Sequence, residues 1–119
     1  MKLTYYGHAC FLLETQGKRI LFDPFISPNE LASSIEVDSI EADYILISHG
    51  HADHVADAEA IAERTGAMIV SNYEIVTWYE QKGFKNLWPM NHGGTKSFDF
   101  GKVKYVNAVH SSVLPDGTY

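Results

Sequence analysis

The segment DYILISHGHADHVADAEAIA, residues 43–62, constrains the fold more than any other part of the chain. Its first six residues form a nearly continuous apolar run, which suits a strand buried on both faces. The residues after the histidines read as a helix: Val55, Ala58, Ile61 and Ala62 share one helical face, and Gly66 supplies the stop. A buried strand feeding an amphipathic helix is the unit of an α/β domain. Between the two, His49, His51, Asp53 and His54 place four candidate metal ligands within six positions.

The flanking sequence extends this pattern. KLTYYG (2–7) and CFLLETQ (10–16) are β-like runs, and Gly17 turns the chain into KRILFDPF (18–25), giving a meander. ISPNELASS (26–34) reads as a surface loop. AMIVS (67–71) is a short buried strand, and Ser71 and Glu74 have capping-box spacing ahead of a helix that ends at Gly83. NLWPM, SFDF and KVKYVNAVHSS are three further β segments, separated by turns at NHGG and DFGK. The order is strands, then strand–helix–strand–helix, then strands, so the expected class is α/β with a partly parallel sheet.

At 119 residues the chain has room for one domain. A formal net charge of −6 argues against a nucleic-acid partner. No apolar run is long enough to span a bilayer, and the first ten residues lack the apolar stretch of a signal peptide, so a cytoplasmic protein with no membrane partner is expected. Cys10 is the only cysteine, which excludes an intrachain disulfide; it reads as an inert buried thiol.

The chemistry concentrates at residues 49–54. His49 and His51, two apart, point to one side if strand geometry reaches that far. They would stand at the carboxyl edge of the sheet, where open α/β sheets place their ligands. Asp53 and His54 follow at the start of the next helix. Imidazole and carboxylate suit zinc, and also iron or manganese. Runs of histidine also occur as surface tracts or tags, but this one lies between a buried strand and a helix. Tyr73, Trp78 and Tyr79 fall at helical spacing and read as core, and His92 reads as a turn residue.

HGHADH fits the pattern His-x-His-x-Asp-His and resembles the signature of the metallo-β-lactamase superfamily. GHACFLLETQGKRILFDPF is similar to the opening meander of that superfamily, and FDFGKVKYVNAVHSS to a later strand carrying a further histidine. The details most resemble a small bacterial branch of metal-dependent hydrolases. The resemblance implies the amino-terminal half of an αββα sandwich, a mixed sheet with helices on one face. It implies a first metal site of His49, His51 and His110, and a second to which Asp53 and His54 belong. Two divalent ions, most simply Zn2+, would occupy the complete site, with Fe or Mn as alternatives. Asp23 matches an aspartate that supports the ligands from behind, although an ordinary Asp-Pro turn reads equally well. His8 would lie near the metal mouth, as a substrate contact or equally as a solvated or core histidine.

The activity so implied is hydrolysis of a small-molecule ester, lactone, amide or phosphodiester by metal-activated hydroxide, with Asp53 orienting the nucleophile and relaying a proton. The sequence departs from the superfamily in one respect. A second half normally supplies a bridging aspartate and a last histidine, and Asp116 in its PDG turn cannot replace them. An exposed apolar sheet face is therefore expected, to be covered by a complementary carboxyl-terminal half or by a second copy. Three readings follow: half of a hydrolase that needs its other half, a non-catalytic metal-binding or interaction module, or a mononuclear enzyme completed by dimerisation.

Overall fold

The computed structural model describes residues 1–119. β1 (Lys2–Gly7), β2 (Cys10–Thr15) and β3 (Lys18–Phe22) form the expected antiparallel meander. Gly17 makes the second turn at φ 72°, a left-handed conformation that glycine adopts without a Cβ clash. β4 (Tyr44–Leu46), β5 (Met68–Asn72) and β6 (Leu87–Met90) then add in parallel, giving a six-stranded mixed sheet in the order β1-β2-β3-β4-β5-β6. Parallel neighbours need crossover connections. Helices α1 (Ala52–Val55) and α2 (Ala58–Thr65) link β4 to β5, and α3 (Tyr73–Gln81) links β5 to β6. β7 (Thr95–Phe98) and β8 (Gly101–Lys104) form a separate two-stranded hairpin.

Alternation along the strands divides the core between the two faces of the sheet. Leu12, Leu21, Ile45, Ile47 and Ile69 pack with Val55, Ala58, Ile61, Ile75 and Tyr79 from the helices. Their neighbours Ile20, Leu46 and Val70 point the other way, with Met90, and meet Phe98, Phe100, Val103 and Tyr105 of the hairpin segment. The buried run at 43–48 thus serves both layers, as expected. Truncating Ile45 or Ile69 to alanine removes a fully buried side chain and costs roughly 2–5 kcal/mol. No helix is long and apolar enough to cross a membrane.

Five expectations need correction. The helix read from residue 55 onward is broken into two, because Asp57 turns inward instead of continuing the solvent-facing pattern. Its carboxylate accepts from the backbone N–H groups of Ile26 (2.6 Å) and Ser27 (3.0 Å), and from the Ser27 hydroxyl. The cap of α3 is Asn72, whose side chain accepts from Ile75 N at 2.9 Å. Ser71, the expected cap, is buried in β5 and donates to Ile47 O. Of the aromatic trio, Tyr79 is in the core and Trp78 is half-buried, but Tyr73 at the first position of α3 is exposed. The strand expected to run to His110 stops at Lys104; Tyr105 still exchanges backbone hydrogen bonds with Gly93 and Gly94, and the chain beyond it is irregular.

The fifth concerns the open sheet face, which is largely covered by the hairpin. The chain's radius of gyration is 13.4 Å, close to the ~13.5 Å of compactly folded chains of this length. The margins remain bare: at β1 Leu3 and Tyr5 are exposed beside Leu13 and Phe11, and at β6 Trp88 is exposed.

Candidate metal centre

Parallel pairing brings the carboxyl ends of β3, β4 and β5 to one edge of the sheet. Asp23 follows β3, Ser48 and His49 follow β4, and Asn72 ends β5. The two-residue turn between β1 and β2, carrying His8, reaches the same edge because β2 runs antiparallel to β3. The β4 ladder ends at Leu46, so His49 and His51 do not share a site through strand alternation. The chain instead folds over the sheet edge, and His51 is the extended residue that leads into α1, at φ −63° and ψ 147°.

Asp23 organises the ligand loop. It is buried and held at φ 41°, and it accepts from Ser48 N (2.7 Å), Ser48 Oγ (2.6 Å) and His54 Nδ1 (2.9 Å). All three bonds are partly buried. Because the Ser48 hydroxyl hydrogen is committed to Asp23, the 2.9 Å contact between Ser48 Oγ and His49 Nδ1 has the imidazole N–H donating. The lone pair of His49 is then on Nε2. That atom is buried and has no hydrogen-bond partner. Burial first, and then the neighbouring His54 and His51, hold the His49 pKa below its ordinary value and keep the ring neutral.

Around that bare nitrogen the chain assembles three imidazoles. The His49 ring lies 4.7 Å from His51 and 4.8 Å from His110, and the last two rings are 5.2 Å apart. One donor atom from each falls within 4.8 Å of the others. A second group of the same compactness comprises His8, Asp53 and His54. The two abut through the His49 and His54 rings, 4.1 Å apart. A buried unpartnered imidazole nitrogen is costly without a ligand, and neutral imidazoles with a carboxylate are the donor set of zinc and related divalent ions. The residues present fit a metal. Asp116 stays outside, in a turn where it accepts from Thr118 N.

His110 arrives on an exposed, irregular segment pinned at two points. At its start, the phenol of Tyr105 donates between Ile47 O (2.8 Å) and Val70 O (3.0 Å), and burial raises its pKa well above the ordinary value. At its end, residues 112–114 lie directly over Gly50. A Cβ at position 50 would meet Val113 O at 1.8 Å, so only glycine allows this approach. A cleft of about 300 Å³ beside the centre is lined by His49, His110, Asn72, Glu74, Asn91 and His92, so His92 faces the site from its turn.

Sequence reasoning missed Ser48, Gly50, Asp57 and Tyr105. Two carried a readable signal: Asp57 adjoins the apolar helical face, and Tyr105 alternates with Val103 on the side of the hairpin that packs. Gly50 and Ser48 had none, since their partners are distant in sequence. Cys10 is buried, and burial pushes its thiol up to about 12, in keeping with an inert thiol.

The model of the metallo-beta-lactamase superfamily matches residues 3–116. A UPF0173 metal-dependent hydrolase of Flavobacterium johnsoniae is 59% identical over 119 residues, which are 100% of this chain and 52% of that protein. The Bacillus subtilis member is 43% identical over 116 residues, covering 98% and 50%. The chain thus spans about half the length of the curated relatives it matches. Among solved structures, Igni18, a metallo hydrolase from Ignicoccus hospitalis, superposes with a TM-score of 0.68 at 37% identity, over 82% of this chain and 42% of that one. An isothiocyanate hydrolase from Delia radicum gut bacteria has the same fold at 22% identity, with a TM-score of 0.63 over 82% and 44%. With the match running over nearly the whole chain, and the histidine-rich sheet edge in place, the chain belongs to the metallo-beta-lactamase superfamily.

Proposed function

We propose that this chain carries the metal-binding half of a hydrolase centre that cleaves a small-molecule ester, lactone, amide or phosphodiester bond. His49, His51 and His110 would hold one divalent ion, with zinc the first choice, and Asp53 and His54 would contribute to a second. The observation that carries the reading is the buried, unpartnered Nε2 of His49, on a ring that lies 4.7 and 4.8 Å from two further imidazoles. Ions bound there would supply Lewis acidity and hydroxide near neutral pH.

The remaining roles fall to the chain itself. Partial burial pushes the Asp53 carboxyl up, but its own backbone N–H, His54 and His8 outweigh this and hold it below the usual carboxylate range. Charged and half-exposed, it can accept the proton that water gives up as its oxygen joins the carbonyl carbon or phosphorus. Asp23 and Ser48 fix the tautomers of His54 and His49, which directs a lone pair from each ring towards the centre. Further ligands would come from a complementary carboxyl-terminal region or from a second copy.

The test is metal content and turnover together. Protein purified without chelator should carry zinc, iron or manganese, and His49→Ala should lose it. Metal with no hydrolysis of aryl esters, lactones or aryl phosphodiesters would support the non-catalytic binding reading instead. A wild-type chain that takes up no divalent ion at all would sink both.

A further inference from the structure

We infer that His8 is itself a metal ligand, completing with Asp53 and His54 a three-ligand group for a second ion inside this chain; the inference rests on the functional reading above. His8 Nε2 lies 3.0 Å from Asp53 Oδ2, and His54 Nε2 lies 3.8 Å from the same oxygen. Ligand atoms on a tetrahedral zinc, each bonded at about 2.0–2.1 Å, stand roughly 3.3–3.4 Å from one another. The two observed separations bracket that value. The His54 ring is already oriented for the task, because its Nδ1 is held by Asp23 at 2.9 Å and its other nitrogen faces Asp53. The His8 and His54 ring centroids are 5.1 Å apart, and Phe25 meets the His8 ring edge-on at 5.5 Å.

The backbone supports the same conclusion. His8 occupies the two-residue turn between β1 and β2 at φ 50°, directly after Gly7 at φ 106°. Such turns favour asparagine or glycine at left-handed positions. A histidine tolerates that region better than most residues but is not the natural turn former. Tyr5 fixes the conformation by donating its hydroxyl to His8 O at 3.0 Å. An exposed ion pair with Asp53 would be a weak reason to hold a strained histidine there, since both side chains are 41–50% exposed. A bond to a metal is a sufficient one. The second group would then need no histidine from outside the chain to reach three protein ligands.

The experiment counts ions by native mass spectrometry and measures cobalt(II) absorption in the purified protein, its His8→Asn and His8→Ala variants, and His49→Ala as a reference. Asparagine keeps the left-handed turn and an N–H for Asp53 but removes the imidazole. The wild type should bind two ions. His8→Asn and His8→Ala should keep one, with the affinity for the second falling by about 100-fold or more. His49→Ala should lose the other ion. Two ions retained at unchanged affinity in both His8 variants would overturn the inference and leave the functional reading standing. So would a wild type that binds a single ion indifferent to His8, or His8 variants that keep the wild-type circular dichroism spectrum yet lose both ions together. No ion in the wild type would overturn the functional reading, and this inference with it.

Discussion

The two arms that reach the metal centre are built differently. The arm carrying His49, His51 and His54 is anchored from beneath by two buried carboxylates. Asp23 ties β3 to Ser48 and His54, and Asp57 ties the α1–α2 junction to the loop after Phe25. The arm carrying His110 has no such anchor between Tyr105 and Ser112, and its backbone runs exposed. One arm has its ligands arranged before metal arrives. The other brings a single ligand on a segment that can adjust. Stability and metal affinity should therefore separate: damage to the first arm unfolds the domain, and damage to the second loosens the metal.

The largest effect is expected from Asp57→Ala. It leaves the Ile26 and Ser27 N–H groups without their acceptor in a buried setting and should cost roughly 3 kcal/mol, read as a lower urea midpoint. A loss of under about 0.5 kcal/mol, the range of a surface change, would mean the first arm is not anchored there. Gly50→Ala forces a Cβ against Val113 O and should cost about 1–3 kcal/mol. Its sharper consequence is displacement of His110, with zinc affinity falling more than the melting temperature implies. Tyr105→Phe should cost only ~1 kcal/mol, because Ser71 Oγ still donates to Ile47 O and Ile47 N to Val70 O. A cost as large as that of Asp57→Ala would show that the second arm is as firmly built as the first.

His110→Ala should change stability by less than about 0.5 kcal/mol, since the residue is exposed, yet weaken the first ion by isothermal titration. Cys10 sets the smallest scale. With its thiol held at about 12, alkylation by iodoacetamide should be slow at pH 8 in the folded protein and fast in urea. The raised value also favours the folded state below the unfolded thiol's ordinary pKa of 9.0. That contribution disappears as pH climbs from there towards 12. Rapid labelling at pH 8 without denaturant would place Cys10 in a region that opens locally.

Much of this architecture was legible in local pattern. The meander, the buried strand, the two crossover helices and the hairpin all appear as apolar periodicity with glycine stops, because which face a residue buries follows from its position in the local repeat. HGHADH was legible for the same reason: four ligand-type side chains in six positions need no tertiary knowledge to be noticed. What escaped depended on distance. The Ser71–Glu74 spacing suggested a capping box, yet Ser71 is drawn into β5 by Ile47, 24 residues away, and Asn72 caps instead. Tyr73 had helical spacing but sits where α3 begins, outside the packed face. The hairpin's role as a cover for the sheet could not be seen in the alternation of its own residues.

By itself, then, the sequence determined which side chains can bind a metal and which segments are strand or helix, since these follow from residue chemistry and short-range periodicity. Only the tertiary structure decided how they meet. Parallel pairing set the ends of β3, β4 and β5 at one edge, Gly50 let the chain 62 residues later cross over the ligand loop, and the first turn brought His8 within 3.0 Å of Asp53, 45 positions away. The physical reason is that a metal centre is a statement about distances of a few ångströms. Such distances between remote residues are fixed by the packing of buried strands and by buried carboxylates, and neither leaves a local mark in the chain.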